Sequence, residues 1–336
     1  MRILLTDGDQ RATLAATRSL IQAGHEVHVA AGERRSLAGV SRGARAHAVA
    51  VDPLRDPPGF ASCLGALALA HRIDLLLPMT DPAVEALLAH RTLLPDAVRL
   101  PLPELSRYRA ASDKARIAAL APECGFGVPD TLLLATPAEA QDKIPDAGFF
   151  PAVIKPHRSV IGGADGRRKV GVVFVAGAEE CRRALRSIPA AAYPVLLQRR
   201  VTGAGEGFFA LRWGTRIVAM FAHRRLREKP PAGGVSVYRE SIPLRPELAG
   251  PGRRLLEALD WQGVAMVECK RDAATGREIV MEVNGRFWGS LQLAIDAGID
   301  FPALLARCAA GETVPEQSAY RTGIRSRWFW GDVDHL

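Results

Sequence analysis

The chain has 336 residues, 48% of them hydrophobic and 24% charged, which suits a folded protein of two or three domains and excludes a disordered or fibrous one. The formal charge of +8 invites a nucleic-acid partner. Only six of the 44 basic residues are lysine, however, and the arginines are scattered with no basic tail or aromatic-interleaved stripe, which disfavours nucleic acid, and small anionic substrates such as nucleotides or carboxylates would account for part of the excess.

Residues 1 to about 105 read as alternating strands and helices. Arg2 to Thr6 is a short buried strand. Thr13 to Ala23 has helical spacing stopped by Gly24, and strands follow at Glu26 to Ala30 and near Ala46 to Val51. A helix around Phe60 to His71 leads into an apolar strand, Ile73 to Leu77, and the Thr80-Asp81-Pro82 turn opens a further helix. Such alternation predicts a doubly wound parallel sheet, with ligands at its carboxyl edge. The first loop, Thr6 to Arg11, has one glycine rather than G-x-G-x-x-G, which counts against a nicotinamide cofactor and an oxidoreductase. Asp7 and Asp81 read equally well as substrate-edge or turn and cap residues.

In the second unit, about 106 to 195, Ser112-Asp113 starts a helix that carries Lys114 and runs to about Cys124. A strand ends at Lys155-Pro156, and a loop holding Gly162, Gly163 and Gly166 precedes a returning strand, Val170 to Val175, and a helix, Ala178 to Ser187. The third unit, about 196 to 336, opens with the strand Val195 to Arg199. Phe208 to Leu211 and Arg216 to His223 form an antiparallel pair, and a helix from Pro251 to Leu259 precedes strands Gly263 to Lys270 and Arg277 to Val283.

No apolar run reaches the ~20 residues of a membrane span, and the apolar stretch after Met1 is too short for a signal peptide. The five cysteines are dispersed without a C-x-x-C pair, and the eight histidines show no i,i+4 pairing. A cytoplasmic protein is expected, with no disulfide framework and no membrane partner.

A lysine ending a strand before a glycine-rich loop offers a point charge and open backbone amides, both suited to a polyphosphate. Alone, Lys155 also reads as a snorkelling lysine on a surface hairpin. Glu268 in Met-Val-Glu-Cys-Lys and Glu282 in Val-Met-Glu-Val-Asn add acids within apolar strands. Glu282 and Asn284 leave one face, and a hairpin brings Glu268 beside them. Two carboxylates and an amide oxygen suit Mg²⁺ shared with substrate phosphates, and Arg286 can reach the same phosphates. The competing reading is a solvated sheet face, which poor strand formers in apolar strands disfavour.

The order Asp113-Lys114, Val153-Ile-Lys155-Pro156, glycine-rich loop, Gln198 to Gly203, Glu268, Glu282-Val-Asn284-Gly-Arg286 resembles the ATP-grasp superfamily. It is similar to the ATP-binding half of carbamoyl-phosphate synthetase and to carboxylate–amine ligases. The resemblance implies an α/β chain, α+β in its C-terminal half. A preATP-grasp domain (1–105) would precede a small lid subdomain (106–195) and a large subdomain (196–336). It implies that Lys114 and Lys155 contact ATP phosphates under a closing loop at Gly162 and Gly163. The backbone of Gln198, Arg199 and Val201 would read adenine, and Glu206 the ribose. Glu268, Glu282 and Asn284 would ligate Mg²⁺, for which Mn²⁺ can substitute. Arg199 and Arg200 depart from the acid relatives place after the hinge glutamine. His223 to Ser236, which includes Arg225, and Gly285 to Ser290 resemble a narrower group of predicted ATP-grasp carboligases, as do Arg325, Arg327 and Gly331-Asp332. Some of that group continue beyond the position of Leu336, which leaves a further C-terminal substrate element open. Arg225 and Arg286 would bind a carboxylate or acyl phosphate, although a solvated basic loop also fits the first segment. The implied activity is ATP- and Mg²⁺-dependent joining of a small-molecule carboxylate to an amine. The alternative is a non-catalytic ATP-binding module. Relatives are often dimers, so a homodimer is a further expectation.

Overall fold

The alternating N-terminal third forms a parallel sheet. In a computed structural model, which describes residues 1–158, 160–163, 166–230 and 233–334, strands β1 (Arg2–Leu5), β2 (Glu26–Ala31), β3 (Ala44–Ala48) and β4 (Leu75–Leu77) pair in the order β3-β2-β1-β4, all parallel. Helices α1 (Arg11–Gln22) and α2 (Pro57–Ala70) are crossovers between its strands, and α3 (Asp81–Ala89) follows β4. The continuous apolar runs of β1 and β4 follow from burial on both faces. At the carboxyl edge Asp7 adopts φ 56°, held by hydrogen bonds from the Thr6 and Thr80 hydroxyls. Thr80 also accepts the Ala83 N–H as the cap of α3, so the two β-to-α loops are tied together.

Two short helices follow, α4 (Leu105–Ser112) and α5 (Lys114–Leu120). Asp113 Oδ1 accepts the N–H groups of Ala115 and Arg116 at 2.9 and 3.1 Å, which fixes Lys114 as the first residue of α5. The helix expected to reach Cys124 ends at Leu120, and the chain reverses through Gly125 at φ 92°. Tyr108, Ala111 and Ile117 pack with Phe208, Ala210 and Val267. Residues 105 to 126 are thus seated on the C-terminal sheet.

The middle of the chain is a small layer with its own core. Strands β5 (Thr131–Leu134), β6 (Ala152–Pro156), β9 (Val173–Val175) and β10 (Val195–Arg199) form an antiparallel sheet, β5-β10-β6-β9. Helices α6 (Pro137–Asp142) and α7 (Ala178–Ser187) cover one face, burying Leu134, Ile154, Leu185 and Leu197. The hairpin of β7 (Val160–Gly163) and β8 (Gly166–Lys169) stands apart from this sheet.

The remainder is a six-stranded antiparallel sheet, β15-β14-β11-β12-β13-β16. Its strands are β11 (Gly203–Trp213), β12 (Arg216–Lys229), β13 (Val235–Ser241), β14 (Gly263–Asp272), β15 (Glu278–Asn284) and β16 (Arg325–Arg327). Helix α8 (Pro246–Ala258) covers the face that bears Phe208, Ala210 and Val267. Phe209, Leu211 and Phe221 on the other face pack with α9 (Leu291–Ala297), α10 (Phe301–Ala309), α1 and β1 in one core that joins the N-terminal domain to this sheet. Helix α11 (Phe329–Val333) closes the fold beside β12 and β13. Strand β11 begins at Gly203 rather than Phe208, because alternate glycines hide its first half. The segment from His223, with the alternative of a solvated basic loop, continues β12 to Lys229, paired with β13. Among the described residues no helix is long and apolar enough to cross a membrane.

Candidate functional site

Strand register decides which side chains meet. Glu268 on β14 is the direct partner of Glu282 on β15, and Met266 of Asn284, so both carboxylates and the amide share a face. That face continues across β11 and β12: Glu268 lies opposite Gly207, and Gly207 opposite His223. Glycine is needed here for close approach. A Cβ on Gly205 would lie 2.8 Å from Arg225 Cδ and from Glu228 Oε1, and one on Gly207 would lie 2.7 Å from the Phe209 ring.

The charges form a continuous network. Lys114 Nζ is 3.1 Å from Glu282 Oε2, Asn284 donates to Glu282 Oε1 at 3.0 Å, and Arg286 donates to Asn284 Oδ1 at 3.0 Å and to Asp81 Oδ2 at 3.0 Å. Arg225 pairs with Glu268 at 2.5 Å and with Glu228 at 3.2 Å. Burial pulls the Lys155 ammonium down from its ordinary value and Lys114 adds to the shift, while Glu282 opposes it. Against the upward pull of burial, Lys114, the Asn284 amide and Lys155 hold Glu282 down at about 2. Burial raises Glu268 and Arg225 opposes that shift, with Glu282 adding to it. Two adjacent half-buried carboxylates of unequal proton affinity, facing ammonium groups, are a common sign of a functional site.

A cleft of about 610 Å³ opens between this face and the small middle layer. Lys155 faces it from β6, with Nζ 3.9 Å from Met281 Sδ. Gln198, Arg199 and Val201 border an apolar slot made by Val153, Phe174, Met266 and Met281, and Lys270 donates to the Val201 carbonyl at 3.4 Å. An apolar slot edged by strand-end backbone suits a planar base, and the ammonium groups beyond it suit phosphates. The oxygen donors of Glu268, Glu282 and Asn284 fit a hard divalent cation such as Mg²⁺, which would relieve the repulsion between the two acids.

Of the residues singled out from sequence, the structure brings Lys114, Lys155, Gln198, Arg199, Val201, Arg225, Glu268, Glu282, Asn284 and Arg286 to this cleft. Glu206 is a correction. It lies opposite Cys269, on the face turned toward α8, where Arg245 holds it at 2.5 Å together with Glu278, so its carboxylate does not face the cleft. Gly162 also lies off the cleft, and Gly163 pairs with Gly166 in the same hairpin. Their hairpin reaches the N-terminal domain, where the Arg167 N–H donates to the Leu54 carbonyl at 3.0 Å. Residues 159, 164 and 165 of the expected closing loop, and residues 231 and 232 of the basic segment, lie outside the described residues. The Arg199 side chain turns outward to Asp130 and the Gly148 carbonyl, so only its backbone serves the cleft edge. Sequence reasoning missed the apolar slot, whose Val153, Met266 and Met281 look like ordinary strand core. It also missed the meeting of His28, His47 and His71 on the N-terminal domain, with ring nitrogens within 4.8 Å.

Residues 211–331 match a family model described as ATP-grasp in the biosynthetic pathway with Ter operon. No curated protein sequence matches the chain. Solved structures with a similar fold include a biotin carboxylase–β-γ-ATP complex from Campylobacter jejuni, at 14% identity and TM-score 0.73 over 96% of this chain and 74% of that one. The biotin carboxylase domain dimer of Hydrogenobacter thermophilus 2-oxoglutarate carboxylase, with MgADP and bicarbonate, is 15% identical with TM-score 0.71 over 96% and 73%. An L-amino acid ligase from Bacillus licheniformis is 16% identical with TM-score 0.68 over 93% and 75%. The chain therefore has the ATP-grasp fold over nearly its whole length, and its residues 211–331 match the family by sequence.

Proposed function

We propose that the chain is an ATP- and Mg²⁺-dependent ligase that activates a carboxylate as an acyl phosphate and transfers the acyl group to an amine. The observation that carries this reading is the pairing of Glu268 with Glu282 on a cleft face where Lys114, Lys155, Arg225 and Arg286 converge. In the first step a carboxylate oxygen bonds to the γ-phosphorus and the bond to the β-phosphate oxygen breaks, releasing ADP. In the second the amine nitrogen attacks the acyl carbon, the carbon–oxygen bond to phosphate breaks, and the amine proton leaves with phosphate or solvent.

The residues position and neutralise charge. The backbone from Gln198 to Val201 and the slot around Phe174 orient the base. Lys155 and Lys114 grip the phosphates. Arg286, fixed by Asp81 and Asn284, and Arg225, fixed by Glu268 and Glu228, face the reacting carboxylate and phosphoryl oxygens. Glu268, Glu282 and Asn284 would hold Mg²⁺, which neutralises phosphate charge when bound. Binding would require Lys114 and Arg225 to exchange carboxylate for phosphate partners. The small layer, with its own core, is suited to closing over the acyl phosphate and excluding water.

The test is ADP release across a panel of acids and amines. Turnover that needs one acid and one amine supports the ligase. Nucleotide binding with no turnover on any pair would instead favour a non-catalytic nucleotide-binding module, and turnover unaffected by both Lys155→Ala and Glu282→Ala would refute the site.

A further inference from the structure

The ligase reading leaves several polar groups in and beside the cleft without a task, and they cluster. Arg239 on β13 is the cross-strand partner of Arg225 and is 4% exposed. Arg225 has two carboxylates, whereas among the described residues Arg239 hydrogen-bonds only the Ser236 carbonyl, at 3.0 Å, and the Ser326 hydroxyl, at 3.4 Å, and its Nε has no partner. Arg11, the first residue of α1, comes from the N-terminal domain to line the same end of the cleft. Its guanidinium lies 4.1 Å from the Trp328 ring centroid, and its buried Nη1 has no hydrogen-bond partner among the described residues. Burial and Arg11 together lower Arg239 to about 10. Among the described residues neither arginine has a salt bridge. A buried guanidinium is costly to leave unneutralised, and two close together are costlier.

Further polar groups with no partner among the described residues line the same cleft. His223 is 1% exposed, lines the cleft, and has no hydrogen-bond partner at either ring nitrogen. Trp288, also lining the cleft and buried, has a free Nε1–H, and Ser236 has an unpartnered hydroxyl. Buried donors are normally satisfied, so a concentration of unsatisfied ones facing a cleft marks the place of a missing acceptor. The acceptor must be anionic to neutralise the arginines.

We infer that Arg11 and Arg239, with His223, Trp288 and Ser236, form a second anion subsite that binds a carboxylate or phosphate group of a substrate other than the carboxylate being activated. The inference rests on the ligase reading and narrows it: one of the two joined molecules carries an additional anionic group. That group binds on the side of Arg225 away from Glu282, beneath α1 and α11, so the N-terminal domain takes part in substrate choice.

The test measures thermal unfolding and calorimetric binding of succinate, inorganic phosphate and acetate at constant ionic strength, with saturating Mg-ADP to fill the nucleotide phosphate positions. Wild type is expected to bind succinate or phosphate more tightly than acetate. Arg11→Met and Arg239→Met should each weaken that binding by about tenfold or more, the loss of one charge-assisted hydrogen-bonding partner. In chloride alone both variants should unfold no earlier than wild type, because each removes a charge without a counter-ion, buried at Arg239 and half-buried at Arg11. A structural role for either arginine would instead lower stability and leave anion affinity unchanged. Should Arg239→Met fail to fold, Arg11→Met carries the test. Equal dianion affinity in wild type and Arg11→Met, or no dianion binding by wild type, overturns the inference. Mg-ADP affinity and its loss in Lys155→Ala test the ligase reading separately. ADP release from acids with a second anionic group, against amines with one, tells which substrate bears it, and a preference for substrates lacking any overturns it.

Discussion

Glu206 and Glu268 sit on adjacent strands and face opposite sides of one sheet. The difference is one residue of register: Glu206 is opposite Cys269, and Glu268 opposite Gly207. Glu206 is buried with Arg245 and Glu278, so Glu206→Gln should lower stability by about 1–3 kcal/mol through a weakened charge pair and leave the KM for ATP unchanged. Denaturant unfolding and steady-state kinetics check the two halves. Lys155→Ala should do the reverse, lowering kcat/KM by roughly 10²–10³ while stability changes little, whereas Glu282→Ala should lower kcat/KM similarly and also lower stability, because it takes the carboxylate from buried Lys114. His47 supplies a pH signature. Burial, then His28 and His71, lower it to about 4 from an ordinary 6.5. Between those values the unfolded chain takes up a proton that the folded chain refuses, so stability is full above about pH 6.5 and falls as pH drops toward 4. Urea midpoints from pH 4 to 8 should show this slope, and His47→Gln should flatten it.

At the scale of elements, the acids of β14 and β15 were legible because each interrupts an otherwise apolar strand, so two-residue alternation assigns it a face. The same logic gives no answer for Glu206. Gly205, Gly207 and Phe209 on one face of β11 are as apolar as Phe208 and Ala210 on the other, and resemblance alone suggested a role. Strand β11 was also read too short, since Gly203, Gly205 and Gly207 lower strand propensity while serving close approach. That approach is testable. Gly205→Ala places a Cβ against Arg225 Cδ and Glu228 Oε1, so it should displace Arg225 from Glu268 and lower turnover more than it lowers stability. Kinetics and thermal unfolding on the same preparation separate these effects. The basic stretch after His223 was ambiguous because charge density masks a strand whose inward side chains are neutralised only by tertiary partners.

For the molecule as a whole, the parallel N-terminal sheet was legible from its alternation of strands and helices. The mutual placement of the sheets was not. Nothing in the spacing of Asp81, on the α3 turn, announces its hydrogen bond to Arg286, 205 residues away. Nor does spacing announce that Arg11 reaches a cleft on the C-terminal sheet. These are consequences of the shared core between β1, α1 and the six-stranded sheet. The central claim concerns the cleft between that sheet and the middle layer, and calorimetric titration of ADP into the whole chain, with and without Mg²⁺, tests it most directly. The account predicts binding that tightens with Mg²⁺, loses that Mg²⁺ dependence in Glu282→Ala, and weakens at least about tenfold in Lys155→Ala. Affinity that is indifferent to the cation and to both substitutions would contradict it.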